Sequence, residues 1–130
     1  MQKIMREIKF RYWDNASKSY IPNQYWAVFK NKSNSSIIVI KDYEEQEWLV
    51  GEFGYSNIGS LEQFTGLQDK NGVDIYEGDI YHHGDKNIKY KVVFKDGCFI
   101  GNQIGNKSLA GLYYFLKDIE VTGNIHTNKL

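Results

Sequence analysis

Four carboxylates crowd into the eleven residues from Asp69 to Asp79: Asp69, Asp74, Glu77 and Asp79. Oxygen ligands at this density suit a hard cation such as Mg²⁺ or Ca²⁺, so the cluster is a candidate metal site for a metal-dependent enzyme. The spacing is not that of an EF-hand loop. The same residues also read as turn chemistry, because Asp69 opens a turn, Glu77 and Asp79 flank Gly78, and aspartate commonly bonds its own turn amides. The two readings differ in geometry: a metal site needs the acids to converge, whereas turns splay them apart. His82-His83 with Asp85 forms a second cluster. Adjacent strand residues point to opposite faces, so one ion is not readily shared by the pair. A zinc site would need His126 and a carboxylate to join; otherwise the histidines are expected to face solvent at a strand end. Cys98 has the chemistry of a nucleophile but no base near it in sequence. Between Gly97 and Phe99 it reads as core packing, where free cysteine is often found.

The remaining candidates are cations. Lys89, Lys91 and Lys95 fall on one face of an alternating segment, and Lys9 with Arg11 on the outer face of another. Small β-barrels bind nucleic acid with such surfaces and use aromatic platforms for the bases. Arg11, Lys89, Lys91 and Lys95 are therefore a candidate nucleic-acid surface, with exposed tyrosines or Trp13 as platforms. An ordinary solvated face accounts for the same lysines, which also deter edge-to-edge aggregation. Net charge favours the latter: 16 basic residues balance 16 acidic ones, and residues 1–60 sum to +1 against −1 for residues 61–130. A non-specific nucleic-acid binder normally carries a basic excess. No nucleophile-elbow, P-loop or dinucleotide-binding fingerprint occurs, and the glycine-bearing stretch Gly101–Gly105 lacks a following lysine and reads as a loop.

The elements that must position these residues are mostly strands. The chain has 130 residues, the size of one domain. Aromatic residues reach 15%, ten of them tyrosine, a composition that suits half-buried strands and argues against disorder. A single cysteine excludes an internal disulfide and a cysteine-based metal site. No apolar run approaches the length of a membrane helix, and the first ten residues lack a signal-peptide core.

Ile8, Phe10 and Tyr12 alternate with Glu7, Lys9 and Arg11, which predicts a half-buried strand. Asp14-Asn15 begin a polar turn, and Pro22 sits between elements. Strands follow at Tyr25–Phe29, Ile37–Lys41 and Trp48–Phe53, separated by the polar loop Asn31–Ser36 and the acidic stretch Glu44–Glu47. Ser56–Ser60 is a small-residue connection. Leu61–Thr65 reads as a strand or a single turn. Asn71-Gly72 predicts a type I′ hairpin returning through Val73–Tyr76. Glu77-Gly78-Asp79 turns into a strand at Asp79–His83. Ile88–Lys95 alternates and turns at Asp96-Gly97 into Cys98–Ile100. Ser108 caps a short helix through Leu116, and Ile119, Val121 and Ile125 mark a last strand. Short strands linked by tight turns pair antiparallel and predict a small barrel or sandwich.

The stretch Phe64–Ile80, FTGLQDKNGVDIYEGDI, resembles the YopX family of phage and prophage proteins. Met5–Asp14 is similar to that family's opening strand, Val92–Phe99 to its later hairpin, and Val121–Ile125 with Thr127-Asn128 to its closing strand. The resemblance implies a β-rich, SH3-like barrel with elaborations and an origin in phages or prophages of Gram-positive bacteria. It implies no established activity. The chain is thus expected to be one domain over residues 1–130, with 1–4 a leader and 25–60 a variable middle region.

These readings together predict a mostly β, small antiparallel barrel with one short helix near 108–116. They predict a non-enzymatic interaction module in the bacterial host cytoplasm, without cofactor or membrane contact. Its expected partner is a host or phage protein or a second copy of itself. Nucleic-acid binding and metal-dependent catalysis are the alternatives.

Overall fold

The computed structural model describes residues 7–15, 17–22, 26–30, 36–41, 47–52 and 59–127. The expected leader, the loop at Asn31–Ser36, the acidic stretch Glu44–Glu47 and the connection Ser56–Ser60 lie wholly or partly outside them. Among the described residues the chain forms twelve strands. They are β1 Phe10–Asp14, β2 Ser19–Ile21, β3 Trp26–Lys30, β4 Ser36–Lys41, β5 Glu47–Glu52, β6 Gly59–Gln68, β7 Asp74–Tyr76, β8 Asp79–His82, β9 Tyr90–Lys95, β10 Cys98–Gln103, β11 Leu109–Gly111 and β12 Glu120–Asn124. Every registered pairing between them is antiparallel. The fold is therefore mostly β, as the alternation and turn spacing predict.

Chain contacts divide the protein into two compact units, Arg11–Glu62 and the remainder, Met1–Phe10 with Gln63–Leu130. In the first unit β3, β4 and β5 form a three-stranded antiparallel meander. β1 and β2 pair as a hairpin, with Trp13 opposite Tyr20. Tyr12 and Trp13 are both buried. Their burial departs from strict alternation, and the apolar face expected at Ile8, Phe10 and Tyr12 does not form: Ile8 is 71% exposed. Gly59 lies so close to Tyr12 and the Trp13 carbonyl that any Cβ there would overlap them.

In the second unit a five-stranded sheet runs β11-β10-β9-β8-β12. Its core gathers Ile75, Tyr81, Tyr90, Val92, Leu112 and Ile119. The hairpin between β9 and β10 is built as predicted: Asp96 and Gly97 both take positive φ, 52° and 80°, which a two-residue turn of matching twist requires. The Asn71-Gly72 turn is different. Gly72 has φ +80° and Asn71 does not have positive φ; the Gly72 N–H closes onto the Asp69 carbonyl at 3.0 Å. A turn followed by one left-handed glycine replaces the type I′ pair, because the Asp69 carboxylate holds the Asn71 N–H at 2.8 Å.

The helix expected near 108–116 shrinks to one 3₁₀ turn, Tyr113–Phe115. The residues before it are drawn into the sheet as β11, where Ala110 opposes Gly101 and Gly111 opposes Ile100. Gly111 also removes helix propensity where a helix would need it. Gly101–Gly105 is not wholly loop either, since β10 runs through Gln103.

Candidate functional site

Each of the four clustered acids has its own structural employment. Asp69 is buried, and its carboxylate accepts the backbone N–H groups of Asn71 at 2.8 Å, Val73 at 2.9 Å and Val121 at 3.0 Å. Asp79, also buried, accepts the Tyr76 N–H at 2.8 Å and so clamps the turn at Gly78. Asp74 pairs with Lys9 Nζ at 2.7 Å and accepts from Gln68 Nε2 at 3.0 Å. The Lys9 ammonium, followed by Gln68, holds the Asp74 carboxyl below its ordinary range. Glu77 faces the Gln63 N–H at 3.4 Å. The acids thus splay around turns, and no group of three or more His, Cys, Asp or Glu side chains gathers for a metal among the described residues.

The histidines diverge in the same way, but they do not face solvent as expected. His82 is buried; its Nδ1 accepts the Gly84 N–H at 3.1 Å and its Nε2 lies 3.8 Å from Glu120. His83 is held in a ring stack, 4.7 Å from Tyr90 and 4.2 Å from Phe115. Cys98 is exposed rather than packed in the core. It opens β10 directly after the turn, opposite Lys95, on the face of the hairpin that carries the lysines.

The cations separate into two groups. Arg11 is engaged within its own unit: its Nε lies 2.7 Å from Glu62, whose side chain is 3% exposed, and its guanidinium stacks over Tyr20 at 4.4 Å. Lys9 holds Asp74 and Lys70 holds Glu120, at 2.7 and 3.1 Å. Lys89, Lys91 and Lys95, by contrast, make no ion pair with any acidic group among the described residues. Trp13 is unavailable as a platform, being buried edge-on against Tyr20 at 5.1 Å.

Directly opposed residues of an antiparallel ladder share a face. Lys91 opposes Asn102, Val93 opposes Ile100 and Lys95 opposes Cys98; Asn102 and Ile100 in turn oppose Leu109 and Gly111. The opposite face of the same strands carries Tyr90 and Val92 into the core. An open groove of about 600 Å³ is lined by Leu67, Cys98, Phe99, Leu112, Tyr113 and Tyr114; Phe99, opposite Phe94, lies on the core face of the ladder, away from Lys91 and Lys95. Tyr113 and Tyr114 are 79% and 87% exposed. The turn that presents them is anchored by the stack of Phe115 on His83. A larger groove of about 920 Å³ passes Phe64, Gln68, Lys70, Asp74 and Leu116, but Lys70 and Asp74 there are already paired.

Sequence reasoning missed Tyr113 and Tyr114 as specific positions, and it missed a charge segregation. Residues 61–85 hold six acids and one lysine, net −5, while residues 86–117 hold six lysines and one aspartate, net +5. Halving the chain cancels the two. The acidic run is spent largely on turns and pairs; of the basic run, Lys91 and Lys95 lie on β9, Lys86 and Lys89 before it, Lys107 between β10 and β11, and Lys117 beside the larger groove.

Fold and surface together define a mostly β protein whose β9 carries lysines on its outer face. The profile of the family described as YopX protein matches residues 9–130, and the chain belongs to that family. Among solved structures it is similar to protein EF1440 from Enterococcus faecalis, with a TM-score of 0.65 and 27% identity over 95% of this chain and 96% of that one. It is also similar in fold to protein yopX from Bacillus subtilis, with a TM-score of 0.64 and 18% identity over 95% and 96% of the two chains. Nothing among curated proteins matches. No helix among the described residues is long and apolar enough to cross a membrane.

Proposed function

We propose that this chain is a non-enzymatic binding module that holds an anionic partner on the outer face of β9, β10 and β11. The observation that carries the reading is that Lys91 and Lys95, on the outer face of β9, and Lys89, just before that strand, make no ion pair among the described residues. Unpaired cations steer and hold an anion. The clustered acids support the same reading from the other side, since their oxygens are committed to backbone amides and to Lys9. An origin in a phage or prophage, an SH3-like barrel and action in the cytoplasm of a bacterial host belong to this proposal and rest on the family resemblance.

The test is retention. Immobilised wild-type protein should capture a partner from host lysate and release it as salt is raised. A variant carrying Lys89→Glu, Lys91→Glu and Lys95→Glu should not capture it. Equal retention by the two proteins would sink the reading.

A further inference from the structure

We infer that the outer edge of β11 pairs with the β11 of a second copy, joining two five-stranded sheets across a two-fold axis at Ala110. The inference is independent of the lysine reading above, because it uses the edge of the sheet and not its face.

The five-stranded sheet has two terminal strands, β11 and β12. β12 is guarded. Its register shifts between Val121 and Gly123. The Asp69 carboxylate takes the Val121 N–H at 3.0 Å, and the Gly78 carbonyl takes the Ile125 N–H at 2.9 Å. Bulges and covered edges are how sheets avoid pairing with another chain. Among the described residues β11 has neither. Its register against β10 is unbroken: Asn102 opposes Leu109, Gly101 opposes Ala110 and Ile100 opposes Gly111. Its sequence, Leu109-Ala110-Gly111, holds no charge and no proline.

The phase of the ladder decides which backbone groups are left over. The Gln103 N–H donates to the Ser108 carbonyl at 2.8 Å. Bonded and non-bonded pairs alternate along an antiparallel ladder, so Gly101 and Ala110 form the next bonded pair. The N–H and C=O groups of Leu109 and Gly111 therefore point away from β10. No other backbone group takes them among the described residues.

This leftover set is self-complementary. When two β11 strands meet antiparallel about Ala110, Leu109 of each copy opposes Gly111 of the other. Each such pair exchanges both of its hydrogen bonds, and every free group on the two edges is used. The side chains match as well. Leu109 is 50% exposed, and a Cβ at Gly111 would meet nothing within 4 Å. The leucine of one copy thus has room to lie over the glycine of the other. The small Ala110 sits on the axis, where opposed Cβ atoms approach to about 4.5–5.5 Å. An arbitrary strand would match the hydrogen bonds; the leucine-on-glycine fit is particular to a second copy. Three residues bury less surface than a standard interface, so the dimer forms and dissociates with concentration.

Sedimentation equilibrium tests the inference on the full chain, under reducing conditions so that the exposed Cys98 forms no cross-link. The expected mass rises from one chain towards two between about 1 μM and about 1 mM protein, and raising the salt changes it little, since no ion pair contributes. Gly111→Pro deletes an outward N–H at an edge position that tolerates proline, and with it half of the intermolecular hydrogen bonds. Leu109→Lys adds the charge that natural edges use against pairing. Each should raise the dissociation constant at least about tenfold. The variant carrying Lys89→Glu, Lys91→Glu and Lys95→Glu should dimerise as wild type does. Circular dichroism checks that each variant is folded.

A one-chain mass across the whole range overturns the inference. So does a dimer that persists in both edge variants, or one that the triple Lys→Glu variant abolishes. Capture of the anionic partner is read separately, so the binding-face reading stands or falls on its own experiment.

Discussion

The carboxylate of Asp69 accepts the backbone N–H of Val121 at 3.0 Å, across 52 positions of chain. One side chain therefore does two jobs. Its other oxygen closes the Asp69–Val73 turn through Asn71 and Val73, and Oδ2 pins the start of β12 beside that turn. The Lys70 N–H, donating to the Ile119 carbonyl at 2.9 Å, reinforces the junction.

Asp69→Ala removes the acceptor for three amides at a buried position. Hydrogen bonds to a charged acceptor contribute more than neutral ones, and buried donors left without a partner add a desolvation cost. Urea denaturation should show a loss of about 3 kcal/mol. Asp69→Asn keeps one acceptor oxygen and should lose about half as much. Equal stability of Asp69→Ala and wild type would mean that the turn and β12 are held by other contacts.

Gly101 faces Tyr81 across the core, and a methyl group there would overlap the Tyr81 hydroxyl, with Cζ at 2.9 Å. Gly101→Ala should therefore destabilise the fold by about 1–3 kcal/mol through overpacking. Adding Tyr81→Phe, which removes the oxygen in the way, should recover part of that loss. A double-mutant cycle measures the coupling, and additive single effects would contradict the close approach.

These contacts also mark what could be read in advance. Asp96-Gly97 was legible because the turn type is set by the φ preferences of those two residues alone. The strand β9 was legible from alternation, and β8 from the turn at Gly78 that feeds it. The link from Asp69 to Val121 was not, because nothing local in either segment announces a partner 52 positions away. Cys98 was misjudged for a related reason: composition places free cysteine inside, but ladder register puts it opposite Lys95 on the outer face. The short helix failed because pairing with β10 outweighed a weak local preference around Ala110. The basic face was present in the sequence all along. It stayed hidden because the adjacent acids, from Glu62 to Asp85, cancel it in any long window.

Arg11 and Lys91 should behave in opposite ways when removed. Arg11 lies 2.7 Å from buried Glu62, so Arg11→Ala deprives an interior carboxylate of its cation. The Tyr20 hydroxyl remains on Glu62 at 2.8 Å, and the expected loss is about 2 kcal/mol of stability with unchanged capture of the anionic partner. Lys91→Ala should leave the unfolding free energy within about 0.5 kcal/mol of wild type, as surface changes do, and weaken capture of the anionic partner. Loss of affinity in folded Arg11→Ala would return that residue to the binding surface.

Stability should fall at both ends of the pH scale for different reasons. Lys9 lowers the Asp74 pKa from its ordinary 3.8, and Lys70 lowers that of Glu120 from 4.5. A depressed folded pKa adds stability above the unfolded value, which is lost as pH falls through the folded one. The urea midpoint should thus decline from about pH 4.5 downward, and Lys9→Met should flatten the part owed to Asp74. At the alkaline end the sign reverses. Burial pushes the Tyr12 pKa from 10.0 up to about 12, and burial raises Tyr81 likewise. A raised folded pKa gives stability that is complete below pH 10 and disappears as pH rises towards 12. The tyrosinate absorbance owed to Tyr12 and Tyr81 should accordingly appear together with unfolding, followed by circular dichroism on the same samples. Ionisation of Tyr12 and Tyr81 with no change in circular dichroism would contradict their burial.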